Sequence, residues 1–215
     1  MRKLFLFIVC FILFGVGIKA QRFPQAVLPG DYPDPSILRD GKDYYMTHSP
    51  FYYAPGFLIW HSTDLMRWEP VCRALPEYEG SAMAPDLLKY QGRYYIYYPT
   101  STGENYVIYA DDIRGPWSRP VKLDVRGIDP GHVVGEDGKR YLFTNNGWIT
   151  PLSDDGLKVT GKSRKVYDGW KYPANWVTEG KDMYLESPKL LYKDGYYYMM
   201  SAARPLYGRP ARPRR

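Results

Sequence analysis

Cysteine is scarce in this chain of 215 residues, which contains only Cys10 and Cys72. Cys10 lies within an apolar run at the amino terminus, so removal of that run would leave Cys72 without a partner for an intramolecular disulfide. Histidine is also scarce, with three residues in the chain, and none lies near Cys72 in the sequence. The sequence therefore excludes a disulfide framework and predicts that Cys72 is a packed thiol rather than a nucleophile.

Long hydrophobic runs are missing outside the amino terminus. Arg2 and Lys3 precede an almost unbroken apolar run over residues 4–16, and small residues follow up to Ala20. This pattern predicts a secretory signal peptide over residues 1–20, a secreted or periplasmic location, and no membrane association after cleavage. The run is short for a stable bilayer anchor, although an uncleaved anchor helix is the alternative interpretation.

Concentrated positive charge is missing from the body of the chain, despite a formal net charge of +6. Three positive charges lie in residues 1–20 and five in residues 204–215, which leaves a net charge of −2 for residues 21–203. A surface that binds phosphate groups needs clustered lysine and arginine. The charge distribution therefore argues against a nucleic-acid partner.

Long helical patterns are absent from residues 21–203, and a repeated strand pattern is present instead. Four segments each contain a glycine turn followed by an aromatic, alternating run, and their glycines are Gly41, Gly92, Gly138 and Gly195. The glycines are spaced by 51, 46 and 57 residues. Glycine tolerates the backbone of a tight turn, and alternation is typical of strands, so each segment predicts a β-hairpin.

A second repeat runs in step with the first. Residues 62–68 and 110–117 have related sequences that end in Trp68 and Trp117, which are 49 residues apart, and residues 153–157 are a shorter version. Two signals with one period of about fifty residues predict an all-β fold in which four-stranded blades form a β-propeller. A β-sandwich would also contain short strands, but it would not repeat its turns at this interval.

Three carboxylates lie shortly before the hairpins of their own units. Asp34 and Asp129 each precede a proline, which is expected to hold the preceding residue in an extended conformation, and Glu186 lies two residues before Pro188. Acids at equivalent positions in three blades would point toward one axis, and cleavage of a glycosidic bond needs two such acids. Asp86 occupies a similar place in the second unit, where a structural role is the favoured interpretation.

These motifs, over residues 23–203, resemble those of glycoside hydrolase family 43. The resemblance implies a five-bladed β-propeller, of which residues 21–203 supply about three and a half blades. It implies an inverting hydrolase of O-glycosidic bonds in xylan-type or arabinan-type saccharides. Asp34 matches the general base, Asp129 the acid that orients the catalytic acid and tunes its pKa, and Glu186 the general acid. Phe51 resembles the aromatic residue that lines the sugar subsite in the β-xylosidase branch.

The same resemblance sets expectations for cofactors and partners. An oligosaccharide or polysaccharide is the expected partner, no cofactor is required, and the intact family fold allows a structural calcium ion. No metal ligand set is recognised, and His132 is expected to be a pocket or core histidine. The alternatives to an enzyme are a non-catalytic carbohydrate-binding propeller and an inactive truncated remnant. The presence of three acids favours the enzyme, because sugar binding alone needs neither a proton donor nor a base.

Residues 204–215 depart from the pattern of the family, because they contain five arginines and three prolines. Our hypothesis is that a frameshift or a sequencing error ends the chain early, with a genuine basic tail as the alternative. An open partial propeller would expose sheet edges and apolar faces. We therefore expect the 215-residue chain to be poorly stable and weakly active or inactive.

Overall fold

The computed structural model describes residues 26–78, 80–168 and 183–205. The predicted signal peptide and residues 206–215 of the Arg/Pro-rich tail lie outside the described residues. No helix in the described ranges is long and apolar enough to cross a membrane. The elements are β1 Ser36–Asp40, β2 Asp43–Thr47, β3 Gly56–Ser62, β4 Glu69–Leu75, β5 Asp86–Tyr90, β6 Arg93–Pro99, β7 Asn105–Ala110, β8 Val121–Leu123, β9 Gly131–Val134, β10 Arg140–Thr144, a 3-10 helix Asn145–Gly147, β11 Trp148–Pro151, β12 Arg164–Lys165, β13 Met183–Lys193 and β14 Tyr196–Pro205.

Within the described residues, the strands form three four-stranded antiparallel sheets and one two-stranded hairpin. The first sheet contains β1–β4, the second β5–β8 and the third β9–β12, and the hairpin contains β13 and β14. Strands that are neighbours in each sheet are also neighbours in the sequence, so each sheet is a simple meander. The all-β prediction is confirmed, and the repeat of about fifty residues corresponds to one sheet.

The four predicted glycine turns each join the first two strands of a unit, which confirms the hairpin prediction. Residues 91–92 and 194–195 are two-residue turns in which every φ is positive, between 49° and 84°. This backbone matches the right-handed twist of the flanking strands. The third turn is longer, because the Gly135 N–H donates to the Lys139 carbonyl at 2.9 Å and closes a wider loop.

The hydrophobic core lies between the sheets, in one cluster between the first and second sheets and another between the second and third. Strand β6 contributes to both clusters, because successive side chains of a strand point to opposite faces. Tyr94, Ile96 and Tyr98 join the first cluster and Tyr95 and Tyr97 the second, and each is at most 7% exposed. The second sheet is therefore buried on both faces and holds its neighbours together.

The second sequence repeat forms the turns between the third and fourth strands of the first two sheets. The Trp68 Nε1–H donates to the Leu65 carbonyl at 3.2 Å, and the Trp117 Nε1–H donates to the Ile113 carbonyl at 3.2 Å. The Cys72 Sγ also contacts the Ile113 carbonyl, at 3.3 Å, and burial raises the pKa of this thiol. The prediction of a packed Cys72 is confirmed.

Candidate active site

Each of the four units carries an X–Pro pair on its first strand or directly before it. The residue before the proline has a left-handed φ in every case: 53° at Asp34, 40° at Ala84, 57° at Asp129 and 51° at Ser187. The expectation of an extended conformation at Asp34 and Asp129 is therefore wrong. Proline disfavours the right-handed helical region for the residue before it, and in this chain those residues adopt the left-handed region.

This left-handed backbone belongs to the repeated fold rather than to the chemistry of the acids. A non-glycine residue in this region costs about 1–2 kcal/mol. Ala84 has a left-handed φ like Asp34 and Asp129, although it has no ionisable side chain. Because the two aspartates occupy the same position of the repeat, the fold holds both at corresponding points of the first and third units.

The correspondence does not extend to all three predicted acids. Ser187, and not Glu186, occupies the position of Asp34 and Asp129, so Glu186 lies one residue earlier in its unit. Asp86 follows its X–Pro pair and therefore does not match the aspartates either. The prediction of equivalent positions holds for Asp34 and Asp129 and is wrong for Glu186.

Asp34 and Asp129 line one cavity of about 180 Å³, which lies where the three sheets and the hairpin meet. The lining comes from all four X–Pro regions and consists of Asp34, Pro35, Ala84, Pro85, Asp129, Ser187 and Lys189. Glu186 is half-buried and directly precedes the lining residue Ser187. The cavity is thus the place where the two aspartates converge beside the strand that carries Glu186.

Asp129 is coupled electrostatically to both of the other acids. Burial raises the pKa of Asp129, and the negative charges of Glu186 and Asp34 raise it further. The Ser187 N–H donates to Asp129 Oδ2 at 3.1 Å and acts in the opposite direction, as does the charge of Lys189. A carboxyl group in this setting holds a proton more readily than an exposed aspartate does.

Asp34 is held by a serine that the sequence interpretation did not single out. The Ser49 hydroxyl donates to Asp34 Oδ2 at 2.5 Å, and Ser49 Oγ itself accepts the Ala84 N–H at 2.6 Å. Ser49 is 3% exposed and lies two residues after the end of β2. It therefore links the carboxylate of the first unit to the backbone of the second.

Glu186 lies on β13 opposite Ala202 of β14, where the pairing register shifts between Glu186 and Lys189. The Ser201 hydroxyl donates to the Glu186 carbonyl at 2.7 Å, and the Leu185 N–H donates to Asn146 Oδ1 at 3.1 Å. These contacts attach the strand on both sides of Glu186. Ser187 lies within this irregular stretch and Lys189 at its end, and both line the cavity.

Lys189 is the cation of the cavity. Its Nζ donates to Asp86 Oδ1 at 2.8 Å, to the Pro130 carbonyl at 3.1 Å and to the Pro85 carbonyl at 3.4 Å. Asp86 Oδ2 accepts the His132 N–H at 2.8 Å, so each of the two carboxylate oxygens of Asp86 accepts a hydrogen bond. These contacts assign Asp86 a structural role, which the sequence favoured.

The family model for glycosyl hydrolases family 43 matches residues 23–211 of the chain. The chain belongs to glycosyl hydrolase family 43. Its relatives include a xylosidase/arabinosidase of Butyrivibrio fibrisolvens, 33% identical over 82% of this chain and 38% of the relative. A xylan 1,3-β-xylosidase of a Vibrio species is 34% identical over 82% of this chain and 37% of its own length.

A solved structure of the family, the xylan β-1,4-xylosidase of Bacillus halodurans C-125, is also similar. It has 31% sequence identity and a TM-score of 0.68, over 83% of this chain and 38% of that one. The chain therefore spans a little over a third of the length of each of these three family 43 proteins.

Phe51 lies in a different cavity of this family 43 chain from Asp34 and Asp129. That cavity has a volume of about 410 Å³, and Tyr32, His48, Tyr53 and Trp60 also line it. It is the larger of the two, but the acids converge in the smaller one. Ser49 connects the two cavities, because it lines the larger one and donates its hydroxyl hydrogen to Asp34.

Among the described residues, no group of three or more His, Cys, Asp or Glu side chains is arranged to hold a metal ion. A structural calcium ion in the intact family fold stays a prediction. His132 Nε2 accepts a hydrogen bond from Arg140 Nε at 3.0 Å, so a guanidinium occupies the lone pair that a metal would use. Burial, followed by the charge of Arg140, lowers the pKa of His132 to about 4. This burial agrees with the prediction of a pocket or core histidine.

Two contributors to the site, Ser49 and Lys189, were absent from the predicted set. Lys189 follows Glu186 by three residues, and Ser49 precedes Phe51 by two. Both lay inside motifs already recognised, so proximity to a candidate was the one available signal. Their contacts join residues far apart in the sequence, by 15 residues for Ser49 with Asp34 and by 103 for Lys189 with Asp86.

Proposed function

We propose that the chain is the acid-bearing part of an inverting glycoside hydrolase that acts on xylan-type or arabinan-type saccharides. The observation that carries this proposal is the coupling of Asp129 to Asp34 and Glu186 around one cavity of a family 43 chain. The printed names of the two relatives, a xylosidase/arabinosidase and a xylan 1,3-β-xylosidase, support xylose- or arabinose-containing substrates.

The proposed mechanism divides the work among the three acids. Asp34 is the general base that removes a proton from the attacking water, and its hydrogen bond from Ser49 fixes the orientation of its carboxylate. Glu186 is the general acid that protonates the oxygen of the leaving group. Asp129 orients and tunes Glu186. In an inverting enzyme, water attacks the anomeric carbon on the face opposite the leaving group, so base and acid act on opposite sides of the sugar.

We also propose that the sheets are blades of a five-bladed β-propeller, with three blades and the first hairpin of a fourth described. Each of the three sheets is a four-stranded meander, and apolar clusters join neighbouring sheets face to face, which supports this arrangement. Convergence of the first strands on a common axis explains why four X–Pro regions line one cavity.

The experiment measures release of the aryl group from aryl β-D-xylosides and aryl α-L-arabinofuranosides by the full chain, with NMR detection of the first-formed anomer. An inverting reaction gives the anomer opposite to that of the substrate. Asp34→Asn and Glu186→Gln should each lower kcat/KM by about 10²–10⁴-fold, the usual contribution of a general base or acid. The loss in Glu186→Gln should shrink for aryl groups that leave readily, because they need little protonation.

Asp111→Asn is the matched control, because this carboxylate is exposed, pairs with Arg93 and lies outside the cavity. It should retain the parental rate. Hydrolysis with retention of configuration, or full activity of Glu186→Gln, would contradict the proposal. Binding of xylo-oligosaccharide without any turnover would instead agree with either alternative to an active enzyme, the non-catalytic carbohydrate-binding propeller or the inactive truncated remnant.

A further inference from the structure

Two tripeptides from different units contact each other residue by residue at the cavity. The Ser187 N–H donates to the carboxylate of Asp129, and Lys189 Nζ donates to the Pro130 carbonyl. Between these contacts, the backbone of Pro188 lies so close to Gly131 that a Cβ there would be 2.0 Å from the Pro188 carbonyl oxygen. Residues 129–131 and 187–189 therefore interlock, and the side chain of Asp129 is part of this contact.

Lys189 is the one charged side chain on the β13 side of this contact. An ammonium group has three N–H donors, and three acceptors surround this one: Asp86 Oδ1 at 2.8 Å and the Pro130 and Pro85 carbonyls at 3.1 and 3.4 Å. The side chain of Asp86 is 13% exposed and that of Lys189 is 35% exposed, so the pair is shielded from bulk water. With three acceptors for three donors, Lys189 is equipped to position its neighbours rather than to bind a ligand.

The charges around the cavity give Lys189 a second effect. Asp34, Asp129 and Lys189 line the same space, and Glu186 lies three residues before Lys189 on β13. Negative charges therefore crowd this region, and the Lys189 ammonium opposes them in the protonation of Asp129. A cation near a buried carboxylate favours the ionised form.

We propose that Lys189 is a positioning residue for Asp129, which it holds through the Pro130 carbonyl and stabilises in the ionised form by its charge. Asp86 anchors the lysine from the second sheet. The inference rests on the proposed function for its catalytic meaning, because Asp129 matters to hydrolysis through its effect on Glu186. The contacts themselves can be tested without any substrate.

The test follows the Ser187 amide signal of the 15N-labelled full chain as a function of pH, because this N–H donates to Asp129 Oδ2. The chemical shift of this signal should change with pH as Asp129 titrates. Asp129→Asn should abolish that change, and this loss would assign the midpoint to Asp129. In Lys189→Met, the midpoint should move to higher pH, since the nearby positive charge is lost. In Lys189→Arg, which keeps the charge, the midpoint should stay close to the parental one.

Lys189→Met leaves the carboxylate of Asp86 without its cation, and this variant alone could fail to fold. A second pair of variants avoids the problem: Asp86→Asn, and Asp86→Asn combined with Lys189→Met. The double variant should still titrate at higher pH than Asp86→Asn. An unchanged midpoint in a folded variant, or an upward shift in Lys189→Arg as large as in Lys189→Met, would overturn the inference.

Activity measurements separate this inference from the proposed function. If the parental chain hydrolyses glycosides, Lys189→Met should lower kcat by about tenfold to a hundredfold with little change in KM, because a misplaced catalytic group raises the barrier and leaves binding intact. If the parental chain hydrolyses none while the Ser187 midpoint shifts as expected, the proposed function fails and the positioning role stands. Hydrolysis with an unchanged midpoint overturns the positioning role alone.

Discussion

Single residues at the cavity depend on how closely two backbones approach each other. Gly131 has no side chain, and its position would bring a Cβ within 2.0 Å of the Pro188 carbonyl oxygen. The same segment carries Asp129 and His132, so the packing of one glycine affects both an acid of the candidate site and a core histidine. Small changes in volume are costly here, because the neighbouring atom belongs to the backbone and cannot rotate away.

Gly131→Ala should lower the free energy of unfolding by about 3 kcal/mol, at the upper end of the usual cost of overpacking. Chemical denaturation measures this change. Gly161→Ala is the control, because Gly161 has no left-handed φ and the nearest atom to an added Cβ is Pro151 Cγ at 3.0 Å, in a ring that can adjust. Its effect should stay within about 1 kcal/mol, and equal losses in the two variants would contradict the close-approach explanation.

His132 should make the stability of the protein depend on pH. Burial is the main reason why the pKa of this ring is lowered to about 4, and Arg140 adds to the effect. Between this value and the ordinary value of 6.5, the unfolded chain binds a proton that the folded chain does not. The stabilising contribution is therefore complete above pH 6.5 and is lost as the pH falls to 4, by about 3 kcal/mol in total.

His132→Gln removes the titrating ring and should flatten this part of the stability curve. Denaturant unfolding at a series of pH values between 4 and 7, for the parental chain and the variant, gives the difference. Parallel curves for the two proteins would show that His132 does not cause the acid loss of stability.

Neighbouring sheets are joined by hydrogen bonds that repeat from one unit to the next. The Ser36 hydroxyl oxygen accepts the Leu87 N–H of the second sheet at 3.0 Å. Asp86 Oδ2 accepts the His132 N–H of the third sheet at 2.8 Å. In both cases the residue after the proline of one unit binds the second residue after the proline of the next. The sheets are therefore joined by a repeated polar contact as well as by their apolar faces.

A second polar contact between sheets surrounds the buried guanidinium of Arg140. Tyr97 of β6 accepts a hydrogen bond from Arg140 Nη2 at 3.0 Å, and its hydroxyl donates to the Gly156 carbonyl at 2.9 Å. Tyr97→Phe should cost about 1–3 kcal/mol, because a buried charged donor and a carbonyl lose their partner. Thermal or denaturant unfolding measures the loss.

Tyr141→Phe is the matched control, since it removes an exposed hydrogen bond from Tyr141 to Asp137 on the third sheet. Its cost should be about 0.5 kcal/mol or less. Equal costs for the two substitutions would mean that the Tyr97 hydroxyl adds nothing to the joining of the second and third sheets.

At the scale of the whole molecule, the hairpin of β13 and β14 has one apolar face that no other described element covers. Its members are Leu191, Tyr196, Tyr198 and Met200, which are between 51% and 69% exposed. On the opposite face, the Tyr197 hydroxyl donates to the Val134 carbonyl of the third sheet at 2.9 Å. An exposed apolar face of this kind promotes association between chains.

The full chain should therefore self-associate as its concentration rises, and Met200→Lys should reduce this association. Sedimentation velocity at several concentrations measures it. Met66→Lys is the control, because Met66 is 62% exposed but lies in the turn after β3. Neither substitution should change the free energy of unfolding by more than about 0.5 kcal/mol. Equal effects of the two lysines on association would contradict a role for the hairpin face.

The sequence by itself determined the repeating unit, the four hairpins and the chain positions of the three acids. These features depend on short-range chemistry: a glycine such as Gly92 permits the turn, and alternating side chains such as those of β6 define the strand. The same local rules recur at intervals of about fifty residues, which is why the repeat could be recognised without coordinates.

The tertiary structure alone decided the left-handed φ at Asp34 and Asp129 and the contacts of Ser49 and Lys189. The conformational preference of a residue before proline leaves more than one backbone region open, and in the folded chain both aspartates adopt the left-handed region. Lys189 meets Asp86 because two strands 103 residues apart in the chain end at the same cavity. No local pattern encodes such a contact, since it depends on how the sheets pack together.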